Sequence, residues 1–277
     1  MGKLKRFIVK IPVLGSILLF IYRFGIAAFF FRKPLYNMVR WLFRSRETTN
    51  FTYHLEDINK KYLGSLIADI LNIHFDAVMS YIKELEDDDE LRNHISTEAM
   101  QSKLAFLTDK DVKFGRRIGW YAIARALKPG TIIETGVDKG LGACVLTAAL
   151  KRNKEEGFEG RYYGTDINPE AGFLFSGHYA DYGSIIYGDS IETLKNFEGT
   201  IDLFINDSDH SAEYEAEEYK IIADKLSEHA IIIGDNSDST DKLLNFSLET
   251  KRHFLFFQER PEKHWFPGAC AGFSFKR

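Results

Sequence analysis

The chain predicts an α/β fold: a seven-stranded, mostly parallel sheet with an antiparallel last strand, preceded by N-terminal helices. Three observations carry this. First, residues 129–277 alternate short apolar runs with helix-prone stretches, the pattern of a parallel sheet covered on both faces. Second, several of those runs end on glycine or an acidic residue, as strand ends do where they face a ligand. Third, residues 51–128 show apolar residues at helical rather than strand spacing.

Charge divides the sequence unevenly. The net charge is −4, yet residues 1–46 hold ten Lys/Arg and no Asp or Glu, so the remaining 26 basic and 40 acidic residues leave the body at −14. An acidic body argues against nucleic acid as a partner, because phosphate binding needs a basic face. A basic, apolar head suggests a membrane surface. Two cysteines, Cys144 and Cys270, allow neither a disulfide framework nor a Cys/His zinc spacing, so a reducing cytosol is expected.

In the head, residues 1–50, the apolar stretch 11–31 is long enough to cross a bilayer. Arg23 lies near its middle, Pro12 and Gly15 disturb its start, and basic residues flank both ends. A second aromatic, basic stretch, 36–43, carries Trp41. Two in-plane interfacial helices account for both stretches; packing against protein and a true span are the other readings.

Residues 51–128 form the connecting region. Ile58, Tyr62, Leu66, Ile70, Ile73, Val78, Ile82 and Leu85 recur at helical spacing. The acidic run 86–90 reads as a solvated loop. Ser96 or Thr97 then caps a short helix, and a further helix over 114–127 stops at Pro129-Gly130. Arg116 and Arg117 open that last helix, either as a solvated start or as a site for an anionic group.

The body begins with the strand 131–135, which runs into Gly136-Val-Asp-Lys-Gly140-Leu-Gly142 and a helix over 144–151. Glycines there let backbone approach a ligand at a helix N-terminus. The strand 161–165 ends on Asp166, a carboxylate suited to ribose hydroxyls, and Asn168-Pro169 opens the next helix. The strand 184–187 ends in Gly188-Asp189-Ser190, where Asp189 caps a helix or accepts from an exocyclic amine. The apolar runs 201–205 and 230–233 lead into Asn-Asp207-Ser-Asp209-His210 and Gly-Asp235-Asn236, with an acidic helix over 213–228 between them. Three carboxylates and an amide oxygen on adjacent strand ends form the hard-oxygen set that Mg²⁺ prefers. Strands 252–258 and 271–276 close the sheet as a hairpin. The loop joining them carries His264 and Trp265, which either line an acceptor pocket or pack locally.

The order Glu134-Thr-Gly136-x-x-x-Gly140, Asp166, Gly188-Asp189, Asp207 resembles the class I S-adenosylmethionine-dependent methyltransferases, whose fold is Rossmann-like. The resemblance covers residues 129–277. It implies that Glu134, Gly136 and Gly140 accommodate the methionine part of the cofactor. Asp166 would hold the ribose, with Asp189 and Ser190 near the adenine. Asp207-x-Asp209-His210 followed by Asp235-Asn236 is similar to the metal-dependent O-methyltransferases of catechol and sugar type. That likeness implies Mg²⁺ on Asp207, Asp235 and Asn236, and leaves Asp209 or His210 as the base. Asp-x-Asp-His is nearer the sugar-modifying branch.

The expected function is therefore magnesium-assisted methyl transfer to a hydroxyl of a sugar or glycan precursor. The expected location is the cytoplasmic face of a membrane, reached through residues 1–46, with a homo-oligomer possible in principle. Two other readings stand beside it: a nucleotide- or NAD-dependent Rossmann enzyme, and a non-catalytic cofactor-binding scaffold. The glycine spacing and the lack of a Tyr-x-x-x-Lys pair weigh against the first of these.

Overall fold

The computed structural model describes residues 12–48, 51–209, 211–235 and 237–277. His210, Asn236 and the first four basic residues of the head lie outside these. The chain forms two compact units. One holds helix α1, Pro12–Arg44, with Lys263–Phe266; the other holds Arg46–Glu262 and Pro267–Arg277.

In the larger unit seven strands form one sheet in the order β3-β2-β1-β4-β5-β7-β6. They are β1 Thr131–Thr135, β2 Arg161–Asp166, β3 Gly183–Tyr187, β4 Ile201–Asn206, β5 Leu226–Gly234, β6 His253–Gln258 and β7 Cys270–Phe275. β1 to β5 are parallel, and β7 enters antiparallel between β5 and β6. β5 begins four residues before its expected start at 230, and its register against β4 shifts between Ile201 and Leu203. The polar start of β5 hides it from a hydrophobicity reading, because Ser227, Glu228 and His229 precede the buried run.

Strand order reverses beside β1, which sits between β2 and β4. That reversal opens the crevice where parallel α/β sheets take ligands. The core on one face gathers Ile133, Phe204, Tyr219, Ile222, Ile232 and Leu243, all essentially inaccessible. Each such side chain contributes about 1.5–3 kcal/mol on burial.

The connecting region differs from expectation in its breaks. It forms α2 Asp57–Leu71, α3 Phe75–Glu86 and α4 Asp89–Gln101. Asn72, in the left-handed conformation, ends α2 and separates it from α3. The acidic run is not a loop. Asp88 accepts from the Leu91 amide and caps α4, with Asp89 and Glu90 in its first turn, where acidic side chains suit the helix dipole. Ser96 and Thr97 consequently lie inside α4 and cap nothing.

α5, Arg117–Leu127, is buried from Ile118 to Arg125 and packs on α3 and on α6, Leu141–Glu155. Arg125 ties the three together. It donates to Glu84 and Glu156 at 2.6 Å each and to the side chain of Asn153. The helix expected from Asn168-Pro169 does not form. Turns and a 3₁₀ helix, Gly177–Tyr182, occupy that crossover. α7 Ser190–Asn196, α8 Ala212–Ile222 and α9 Lys242–Glu249 complete the layers. Both cysteines are free and buried.

In the smaller unit the two expected in-plane helices are one continuous 33-residue helix with Pro34 inside it. Its apolar side chains are mostly exposed; Phe30 is 72% and Phe43 86% accessible. His264 and Trp265 pack here. Asn37 Nδ2 donates to the His264 carbonyl at 3.2 Å, and the Trp41 and Trp265 rings lie 5.4 Å apart. Local packing is thus their observed role.

Candidate functional site

The register brings the singled-out residues to one edge. Thr135 pairs with Thr165 and with Asn206, Asn206 pairs with Gly234, and Asp166 pairs with Tyr187. The next residues, Gly136, Asp207, Asp235 and Gly188-Asp189, therefore leave the sheet side by side with Asp166. Backbone bonds fasten the loops: Gly136 N to Thr165 O, Asp207 N to Thr135 O and Asp235 N to Asn206 O, at 2.8–3.0 Å.

The glycine loop is built to be close to its neighbours. Gly136 has φ +83°, and a Cβ there would stand 1.9 Å from the Asp207 carbonyl oxygen. Both facts demand glycine. At Gly142 a Cβ would stand 2.1 Å from Glu134 Oε1, so this glycine makes the space that a buried carboxyl occupies. Gly140, also at positive φ, begins α6.

Glu134 is 1% exposed and accepts from Tyr162 Oη at 2.6 Å. Burial pushes its pKa up to about 7. Asp166 takes three backbone amides: Val137 at 3.0 Å and Asp138 at 2.9 Å on Oδ2, and Asn168 at 2.8 Å on Oδ1. A carboxylate has about four acceptor positions, so Asp166 orders the glycine loop and keeps little beyond one position for a ligand. Asp189 does cap α7 through the Ile191 amide, and it also accepts from Tyr214 Oη at 2.7 Å. Ser190 is bonded to Tyr214 and to Glu218.

Glu218 is a hub that the sequence reading missed. It is fully buried and bonded to Thr135, Ser190, Asn206 and Ser208, and burial pushes it up to about 7. Its position on α8 gives no motif; only the crossover brings it under the β4 loop.

The acidic clusters meet as expected, but around a cation. Arg116, at the start of α5, places Nη2 against Asp235 Oδ1 and 3.8 Å from Asp207 Oδ2. Its Nη1 lies 3.4 Å from Oε1 of fully buried Glu259, and Arg117 Nη2 lies 3.9 Å from Asp207 Oδ2. Both guanidinium groups flank the Trp120 ring, at 5.8 and 5.1 Å. Burial opposes the charge on Arg116, but Asp235, Glu259 and Asp207 outweigh it and hold the group protonated. Burial and the neighbouring Asp235 carboxylate push Asp207 upward against the two arginines. Asp209 accepts from the Ser211 amide at 2.7 Å.

The donor set does not fit magnesium as arranged. Mg²⁺ needs oxygens at about 2.0–2.1 Å in near-octahedral geometry, and the guanidinium lies where Asp207 and Asp235 converge. Among the described residues no group of three or more His, Cys, Asp and Glu is arranged to hold a metal ion. Asn236, the third expected ligand, and His210, one of the two candidate bases, lie outside those residues. Sequence did contain a signal for Arg116 and Arg117. Two cations at a helix start oppose the helix dipole, so they need carboxylates nearby. Glu259 and Trp120 carried no such signal.

Residues 133–237, a little over a third of the chain, match the methyltransferase-domain family model. No curated protein matches in sequence. The fold is similar to that of the SAH-bound methyltransferase PaMTH1 of Podospora anserina, at TM-score 0.50 and 19% identity over 73% of this chain and 95% of that one. It is also similar to the O-methyltransferase TomG of Streptomyces achromogenes, solved with SAM and involved in tomaymycin synthesis. There the TM-score is 0.50 and the identity 14%, over 69% of this chain and 92% of that one. Residues 133–237 thus match a methyltransferase domain, and the sheet built around them has the fold of the solved methyltransferases to which it is similar.

Proposed function

We propose that the chain transfers a methyl group from S-adenosylmethionine to a hydroxyl of a small acceptor, a sugar or glycan precursor. The observation that carries the proposal is one edge holding the glycine loop, Asp166 and Asp189 beside Asp207 and Asp209. The first three fit a nucleoside cofactor: a close-approach backbone at Gly136, then acidic side chains on the next two strand ends. In this reading Glu134, Gly136 and Gly140 shape the methionine end, Asp166 holds the ribose, and Asp189 with Ser190 borders the adenine. The bound cofactor supplies an already activated sulfonium methyl. The protein has to bind and aim an alcohol and remove its proton. Asp209 and His210 are the two groups proposed for the proton. Magnesium, implied by resemblance, has the convergence of Asp207 and Asp235 in its favour and Arg116 against it, so no step is drawn through it.

The sugar assignment rests on the Asp-x-Asp-His variant and on α1. This helix is long and apolar enough to cross a membrane by length and composition, with basic residues along it. We place the protein at the inner face of a membrane, where lipid-linked precursors present their hydroxyls. Calorimetry with S-adenosylhomocysteine, alongside NAD, tests the cofactor: NAD binding without S-adenosylhomocysteine binding removes the proposal. Labelled methyl incorporation into a lipid-linked glycan extract tests the acceptor. Label appearing only in catechol-like compounds would reject the sugar.

A further inference from the structure

We propose that Arg116 is the resident cation of the acceptor site, standing where Asp207 and Asp235 would otherwise gather a divalent ion, so that methyl transfer by this chain is independent of divalent metal. The proposal rests on the methyltransferase reading for its chemistry, but not for its geometry.

Four observations support it. Arg116 is seated, not draped: it forms an ion pair with Asp235, it donates to Glu259 at 3.4 Å, and its guanidinium lies beside Trp120. Its side chain is only 13% exposed, and those of Asp207, Asp235 and Glu259 are 15%, 11% and 0%. A dication placed between Asp207 and Asp235 would sit within a few ångströms of this guanidinium in a poorly solvated pocket, a repulsion that two carboxylates already shared with Arg116 and Arg117 do not offset. Arg116 also stands at the positive end of α5, a place that disfavours cations. Three carboxylates, from β4, β5 and the loop after β6, compensate for that cost. Glu259 has no counterpart in the magnesium set implied by resemblance; its observed partner at the cluster is Arg116.

The chemistry balances without a metal. The acceptor hydroxyl gives its proton to the base. Its oxygen then forms the bond to the methyl carbon as the sulfur–carbon pair returns to sulfur. A guanidinium fixed at the site orients that oxygen and stabilises the charge it develops, the role a dication plays elsewhere. Arg116 Nε is buried and without a hydrogen-bond partner.

The test is Mn²⁺ binding followed by electron paramagnetic resonance on the full chain, with S-adenosylhomocysteine calorimetry on the same sample. The wild type is expected to show no Mn²⁺ binding, up to millimolar concentration, that Asp235→Asn removes. Arg116→Gln is expected to gain binding by about tenfold or more, and Asp235→Asn added to it to lose that gain. Arg116→Lys, which keeps a cation, should stay like the wild type. Wild-type Mn²⁺ binding that Asp235→Asn abolishes would overturn the proposal, and this measurement needs no Arg116 variant to fold. Mn²⁺ binding that survives Asp235→Asn lies elsewhere and leaves the cluster to Arg116, as expected. Failure to bind S-adenosylhomocysteine would defeat the methyltransferase reading and leave the Mn²⁺ result to stand alone.

Discussion

At the scale of single residues the site is a set of carboxyls that differ in burial and in partners. Asp166 is held by three backbone amides, so Asp166→Ala loosens the glycine loop and, in the proposed site, also removes a contact to the ribose. Hydrogen bonds to a charged group contribute about 1.5–3 kcal/mol, which predicts S-adenosylhomocysteine binding weakened about tenfold to a hundredfold by calorimetry. Glu134 behaves differently. Its folded pKa, pushed up to about 7 by burial, lies above its ordinary 4.5. The folded state therefore holds a proton that the unfolded state releases between these values. Its stabilising contribution is complete below about pH 4.5 and is lost as pH rises through about 7. Thermal midpoints should fall over that window, with a slope of at most about 1.4 kcal/mol per pH unit per group. Glu134→Gln should flatten the fall without abolishing it, because Glu218 is displaced the same way. A slope unchanged in Glu134→Gln would show that Glu134 does not titrate there. Sequence singled out Asp166 because it ends a strand, and Glu134 only through the resemblance that its motif carries. It was silent on Glu218, Glu259 and Tyr214, whose roles come from chain crossings.

At the scale of elements, the β1–α6 turn and the α5 contacts decide whether the edge is formed. Gly136→Ala puts a methyl group 1.9 Å from a carbonyl oxygen at φ +83°. Strain of that kind costs about 1–3 kcal/mol before the clash is counted. A lowered denaturation midpoint together with lost cofactor binding is expected; an unaltered midpoint would show that the turn relaxes freely. Arg125→Ala leaves Glu84 and Glu156 without their shared cation and removes a packed side chain between α3, α5 and α6. About 3 kcal/mol of destabilisation in denaturant titration is expected, with S-adenosylhomocysteine affinity nearly unchanged in the folded fraction. The strands were legible within a few residues because each is a short apolar run between turn residues. The helical breaks were not. Asn72 interrupts one continuous helical periodicity, and Asp88 caps a helix that starts inside a run read as a loop, so only the caps show where the helices divide.

At the scale of the whole molecule, the chain pairs an acidic α/β body with a basic apolar helix. Flotation with anionic vesicles should carry the full chain upward and leave a chain beginning at Arg46 at the bottom. Equal flotation of both would move membrane association to the body. The shorter chain should still bind S-adenosylhomocysteine, because the glycine loop, Asp166 and Asp189 all belong to the larger unit.

Local order along the chain determined the alternation of strands and helices, the glycine turn and the acidic strand ends, since each depends on a few consecutive residues and on periodicity. Sequence alone also isolated the basic head by its charge. What it could not determine was which charges meet. Arg116 precedes Asp207 by 91 positions and Glu259 by 143, and no local pattern links them. Their meeting follows from α5 docking on α3 and α6 and from β5 and β6 running the same way with β7 between them, so that both end at one edge. A cluster of carboxylates that reads as a cation site in one dimension already contains its cation in three.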